Sequence, residues 1–190
     1  MNGPPDLFGD GAGLLGRLGA WAAEARADEA VASRAREAFL LRIASEDATF
    51  AGVVLDLAER GAPVLVTSGG ARRHRGTVVA VGTDFCAIRT ADGRLVFIAN
   101  RGIVSVRPDG RAPATTGDRP VHVTVGLVEA LAVAAEERPR VLVTLSGDDQ
   151  GLAGELRSVG RDVIQLRLDG ADRPTAYVPL PNVVEVTIAG

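Results

Sequence analysis

The sequence predicts a mainly β protein with helices. It reads as an α+β chain of two tandem five-stranded β-barrels, each preceded by a helix, with a further helix near the N-terminus. Three observations carry this expectation. The apolar residues shift from helical spacing to a period of two near residue 64, and again near residue 141. Val141-Leu142-Val143-Thr144 repeats Val64-Leu65-Val66-Thr67, and Val159-Gly160-Arg161-Asp162 repeats Val81-Gly82-Thr83-Asp84. The repeat offset, roughly 77 to 80 residues, is too long for a solenoid unit and fits a duplicated domain.

Aromatics make up only 4% of the 190 residues while hydrophobics make up 46%, so the core must come from Val, Leu, Ile and Ala, a composition that favours strands. The net charge of −3 argues against a chain whose main work is coating nucleic acid. All 21 basic residues are arginine, which fits the coding bias of a GC-rich genome that the many Ala, Gly and Val residues also suggest. The single cysteine, Cys86, excludes an intramolecular disulfide, and its place in an alternating run makes it a small buried hydrophobe. No apolar run approaches a membrane span of roughly 18 to 20 residues. Asp6 and Asp10 stand where a signal peptide carries positive charge, so a cytoplasmic location with no membrane partner is expected.

Residues 1–23 form a Gly-rich segment expected to be flexible, although Leu7, Phe8, Leu14, Leu15, Leu18 and Trp21 also suit a segment that docks on its own domain or on a partner. Over 24–48 the pattern is helical, with Val31, Ala35, Ala38 and Phe39 on one face. The first barrel occupies 49–107. Ser45 or Asp47 offers an N-cap for its helix, in which Phe50, Val53, Val54 and Leu57 share a face before Gly61 and Pro63 end it. Strands follow at 64–67, 77–81, 84–90, 95–99 and 103–106. "SGGARRHRG" is read as a turn, and Ala91-Asp92-Gly93 as a hairpin.

A Pro-, Gly- and Thr-rich linker spans 108–120. The second barrel, 121–190, opens with a helix near Thr124 whose stripe is Val128, Leu131, Ala132 and Ala135. Asp162 to Leu168 then repeats Asp84 to Thr90, and "YVPLPNVVEV" answers "FIANRGIVSV". The glycines of "VGTD" and "VGRD" sit where a strand would bend at a barrel corner.

A helix followed by V-x-V-T, then G-x-V-x-x-V-G-x-D, resembles the Sm-like (LSm, Hfq-type) barrels of the SH3-like group, over roughly 49–107 and 124–188. The resemblance implies oligomeric rings with strand edges paired between subunits. It also implies single-stranded RNA bound by an Asp and an Asn after the second strand and by an Arg-Gly near the fourth. Residue by residue, the Asp and Asn positions hold Gly82 and Cys86 in the first repeat, and Gly160 and Ile164 in the second. Arg101-Gly102 matches the Arg-Gly, where the second repeat has Pro181-Asn182.

Candidate chemistry is sparse. Arg72, Arg73 and Arg75 surround His74 and could hold phosphates as a basic loop tip; with Arg101 they form the candidate nucleic-acid site. The plainer reading is a solvated loop, since no aromatic lies near to stack a base. Asp148-Asp149 lacks a third ligand at metal spacing, and His122 stands alone between valines. Gly69-Gly70 lacks the Gly-Lys-Ser/Thr of a phosphate loop, and no nucleophile-base arrangement is visible. The expectation is therefore no catalytic residue, no metal and no cofactor. The leading function is a non-enzymatic scaffold or regulatory module with a protein partner or self-association. The alternative is a regulator that binds RNA or DNA weakly and electrostatically, single-stranded RNA being the nucleic-acid partner.

Overall fold

The computed structural model describes residues 11–110, 115–118 and 124–189. The chain divides after Glu46 into two compact units.

The first unit is a helix, α1 (Gly11–Glu46). It begins well before the expected start at residue 24, so the Gly-rich segment is helical from Gly11 onward, and residues 1–10 lie outside the described part. Leu14, Leu15, Leu18, Ala20, Ala22 and Ala23 in the added stretch are good helix formers. Leu18, Trp21, Val31, Phe39 and Leu40 are exposed on it. The guanidinium of Arg42 lies 5.4 Å from the ring centre of Phe39.

The second unit opens with α2 (Phe50–Glu59). Its N-cap is Thr49, rather than Ser45 or Asp47, and the Thr49 hydroxyl accepts from the Gly52 N–H at 3.0 Å. Val54 and Leu57 are its buried apolar side chains, about one helical turn apart, and Asp56 is buried beside them. Five strands follow: β1 (Pro63–Ser68), β2 (Arg73–Val81), β3 (Phe85–Thr90), β4 (Leu95–Ala99) and β5 (Ile103–Pro108). Then come α3 (Leu127–Ala135), β6 (Arg140–Leu145), β7 (Asp148–Val159), β8 (Val163–Leu168), β9 (Thr175–Pro179) and β10 (Val183–Ile188). Of the expected linker, 108–110 and 115–118 are described; Pro108 ends β5, and 115–118 carry no helix or strand. Residues 115–118 lie against the start of α2, with the Thr49 N–H donating to the Gly117 carbonyl at 3.0 Å. His122 lies outside the described residues.

The architecture corrects the expectation of two closed barrels. The ten strands among the described residues form one antiparallel sheet in the order β5-β1-β2-β3-β4-β10-β6-β7-β8-β9. The reason is the partner that β4 chooses. A closed barrel needs β4 against its own β5, but β4 pairs instead with β10 of the second repeat, in the register Glu185↔Ile98, Val186↔Phe97, Thr187↔Val96 and Ile188↔Leu95. A helix followed by five strands occurs twice in the chain, and the two halves are fused through the sheet. The outer edges are β5 and β9.

Two cores follow from this fusion. Cys86, Ile88, Val96 and Ile98 face the first, with Val54, Leu57, Val64 and Val66. Their alternate neighbours Phe85, Ala87, Phe97 and Ala99 face the second, with Leu127, Leu131, Val143 and Val186. Strands β3 and β4 are therefore buried on both faces, which is why "FCAI" and "VFIA" read as continuous apolar runs. Phe85 and Phe97 pack with ring centres 5.8 Å apart.

The matched glycines also have a physical cause. A Cβ on Gly76 would lie 2.1 Å from the Arg89 carbonyl oxygen, and one on Gly154 would lie 2.4 Å from that of Arg167. Each marks a point where neighbouring strand backbones come too close for a side chain.

Candidate functional site

The densest polar chemistry among the described residues lies where the two repeats meet. Glu185 on β10 is fully buried. Its Oε2 accepts from the Ser68 hydroxyl at 2.6 Å and lies 2.8 Å from His74 Nε2, both in the first repeat. Its Oε1 accepts from the Thr144 hydroxyl of the second repeat at 3.2 Å, and Arg72 Nε stands 4.0 Å away. Burial pushes the Glu185 carboxyl up, but the hydrogen bonds from His74 and Ser68, the charge of His74 and the Thr144 bond outweigh it. They hold the carboxyl below the usual carboxylate range.

Arg101 forms the second tie. Its side chain donates to the carbonyls of Leu180 at 2.5 Å, Val183 at 2.9 Å and Pro181 at 3.2 Å. Those carbonyls belong to the short 3-10 turn Leu180–Asn182 and its exit, which leave backbone acceptors without ladder partners. A third tie holds α3. Asp84 Oδ1 accepts from the Leu127 N–H at 2.8 Å, and the Thr83 N–H donates to the Val125 carbonyl at 3.0 Å. A carboxylate at the first turn of a helix is favoured by the helix dipole. A cleft of about 270 Å³ lies beside these groups, walled by Asp84, Arg101, Arg161, Asp162, Leu127 and Pro181.

The structure disperses the expected arginine site. Arg72 to Arg75 are not a loop tip. The turn is the short 3-10 segment Gly69–Ala71, and β2 begins at Arg73. In the ladder with β1, Thr67 faces Arg73, Val66 faces His74 and Leu65 faces Arg75. Strand alternation turns His74 inward to Glu185 and leaves Arg73 and Arg75 exposed. Arg75 is paired with Asp109, Arg72 reaches the Gln150 carbonyl at 3.4 Å, and Arg101 is taken up by the turn carbonyls.

Sequence reasoning missed Glu185 and Asp84 as site residues. Glu185 sits in "VVEV" at a position where a charge in an apolar strand was the available signal. Asp148 accepts from the Gln150 N–H at 2.9 Å, as a turn aspartate does.

The family described as the beta-domain of mechanosensitive ion channels matches residues 65–107. No curated protein matches the chain. The family match replaces the Sm-like resemblance, and with it the scaffold and nucleic-acid-binding functions expected of the chain. The matched stretch runs from the third residue of β1 to the penultimate residue of β5, so it takes in all or most of each strand of one five-strand unit. No helix among the described residues is long and apolar enough to cross a membrane.

Proposed function

We propose that the chain is a non-catalytic, channel-associated β-module. In this reading the first repeat serves as a β-domain of the mechanosensitive-channel kind and the second repeat doubles it. The module works from the cytoplasm and associates with further copies of itself. The observation that carries the reading is that the family match begins within the first and ends within the last of the five strands of one structural unit. The junction chemistry supports a non-catalytic role, because the Glu185 and Arg101 groups are taken up in ties between the repeats.

Patch-clamp recording tests it. Deleting the gene in its own host should change the amplitude or threshold pressure of stretch-activated currents, and restoring the full chain should reverse the change. Identical currents with and without the chain would overturn the reading.

A further inference from the structure

The helix α1 (Gly11–Glu46) carries a stripe of exposed apolar side chains. Leu18, Trp21, Phe39, Leu40 and Ile43 all stand open on it, Trp21 by 70% and Phe39 by 53%. The stripe keeps a seven-residue spacing. Leu18, Ala25, Ala32 and Phe39 hold one set of positions, and Ala22, Glu29, Arg36 and Ile43 hold the other, in alternating steps of four and three. A period of about 3.5 kept over so many turns is the mark of helices that wind about each other. A shallow groove follows this seam, with Glu29, Arg36 and Leu40 in its walls beside Ser33 and Ala44.

The two charged seam positions decide which way a partner helix must run. In a parallel pair of identical helices Glu29 would meet Glu29 and Arg36 would meet Arg36, like charges in both layers. Run antiparallel, the same seam sets Leu18 against Ile43, Ala22 against Phe39, Ala25 against Arg36 and Glu29 against Ala32, each twice by symmetry. The phenyl ring of Phe39 then has an alanine to pack on. Leu40 comes beside Gly19, where a Cβ would meet nothing within 4 Å. The stems of Glu29 and Arg36 lie over Ala32 and Ala25, and their charged heads, about one helical turn apart along the axis, reach each other across the pair.

We propose that α1 docks antiparallel on α1 of a second copy of this chain, in the register that sets Leu18 against Ile43 and pairs Glu29 with Arg36 across the seam. The contact is twofold, uses no strand edge and closes at two copies. The helix carries five arginines and five carboxylates, so an anionic lipid surface offers it no net attraction, whereas a helix of the same kind matches it charge for charge. An ion pair in such a seam fixes orientation more than strength, and three of the eight seam positions are alanine, so the pairing is reversible and depends on concentration. Val31 and Leu41 fall outside the seam and stay on the surface.

This inference supplies a surface for the self-association in the proposed function, and its readouts are mass and cross-linking, independent of any current. Sedimentation of the full chain across a concentration series should show a species of twice the 19.7 kDa monomer. Glu29→Arg and Arg36→Glu should each weaken it by about tenfold or more, because each sets like charges face to face. Both positions are exposed, so the melting curve should stay that of the wild type. An equimolar mixture of the two variants should restore the dimer, since opposite charges then meet again in both layers. Leu18→Cys mixed with Ile43→Cys should form a disulfide-linked pair under copper–phenanthroline oxidation, while neither variant does so alone; Cys86 is buried and stays out of the reaction. A chain that is monomeric at every concentration would overturn the proposal. So would cross-linking within a single variant, which marks a parallel pair, or a dimer indifferent to both charge reversals. A chain that floats with phosphatidylglycerol vesicles and does not pair in solution would overturn it as well.

Discussion

His74 and Glu185 stand 111 residues apart in the chain and meet at 2.8 Å in the interior. One belongs to each repeat, so the contact exists only because β10 lies beside β4. The carboxylate is the shared acceptor for Ser68, His74 and Thr144, and its loss would strand three donors at once.

Replacing Glu185 by Ala should therefore cost about 3–5 kcal/mol, the range for breaking a buried charged pair by removing one partner. Urea unfolding checks this. A loss no larger than that of an exposed Glu→Ala control would show that the cluster does not tie the repeats.

The same carboxyl predicts the acid limb of the stability curve. Its folded value lies below the ordinary 4.5, so the folded state holds the carboxylate more firmly than the unfolded chain does. That contribution is fully present above about pH 4.5 and is lost as the pH falls through the folded value. Asp109 and Glu155, lowered by Arg75 and Arg157, act in the same direction from the surface. Glu185→Gln should flatten the fall in stability below pH 4.5, as measured by urea midpoints at successive pH values. An unchanged slope would contradict it.

Arg101→Ala removes the donors for the turn at Leu180–Asn182 and should cost about 2 kcal/mol. Arg101→Lys should recover only part, because an ammonium cannot fork across three carbonyls as a guanidinium does. Thermal melting of the three proteins ranks them; full recovery by Lys would show that charge alone suffices.

Gly76→Ala places a methyl group 2.1 Å from a backbone oxygen that the ladder holds in place. It should cost about 3 kcal/mol or more by overpacking. Gly93→Ala is the contrast: its site is open, and its penalty comes from a φ of +85°. Chemical denaturation should find Gly76→Ala the more damaging; the reverse order would contradict the strand packing.

Cys86 is 1% exposed, and burial pushes its thiol up to about 12. It should resist a thiol reagent in the native protein and react within minutes in denaturant. Rapid native labelling would mean that β3 opens readily.

The strand pattern was legible because alternation and turn residues are local. Leu95–Ala99 is found where the period of two puts it, and "ADG" turns the β3–β4 hairpin with Gly93 at positive φ. An unprotected strand edge in each repeat already calls for edge-to-edge pairing within the chain, but that β4 meets β10 was not legible, since nothing in "LVFIA" distinguishes its own β5 from the equivalent strand of the other repeat. The arginine cluster misled for a related reason. Arg72 to Arg75 are adjacent in sequence, but alternation sends His74 inward and Arg75 out to Asp109. Glu185 was passed over because its partners lie 41 to 117 residues away.

The β4–β10 pairing also means that the two five-stranded units meet at an effective concentration set by the connection between them, not by that of the protein in solution. Their junction therefore forms at any dilution, as a folding step rather than a binding step.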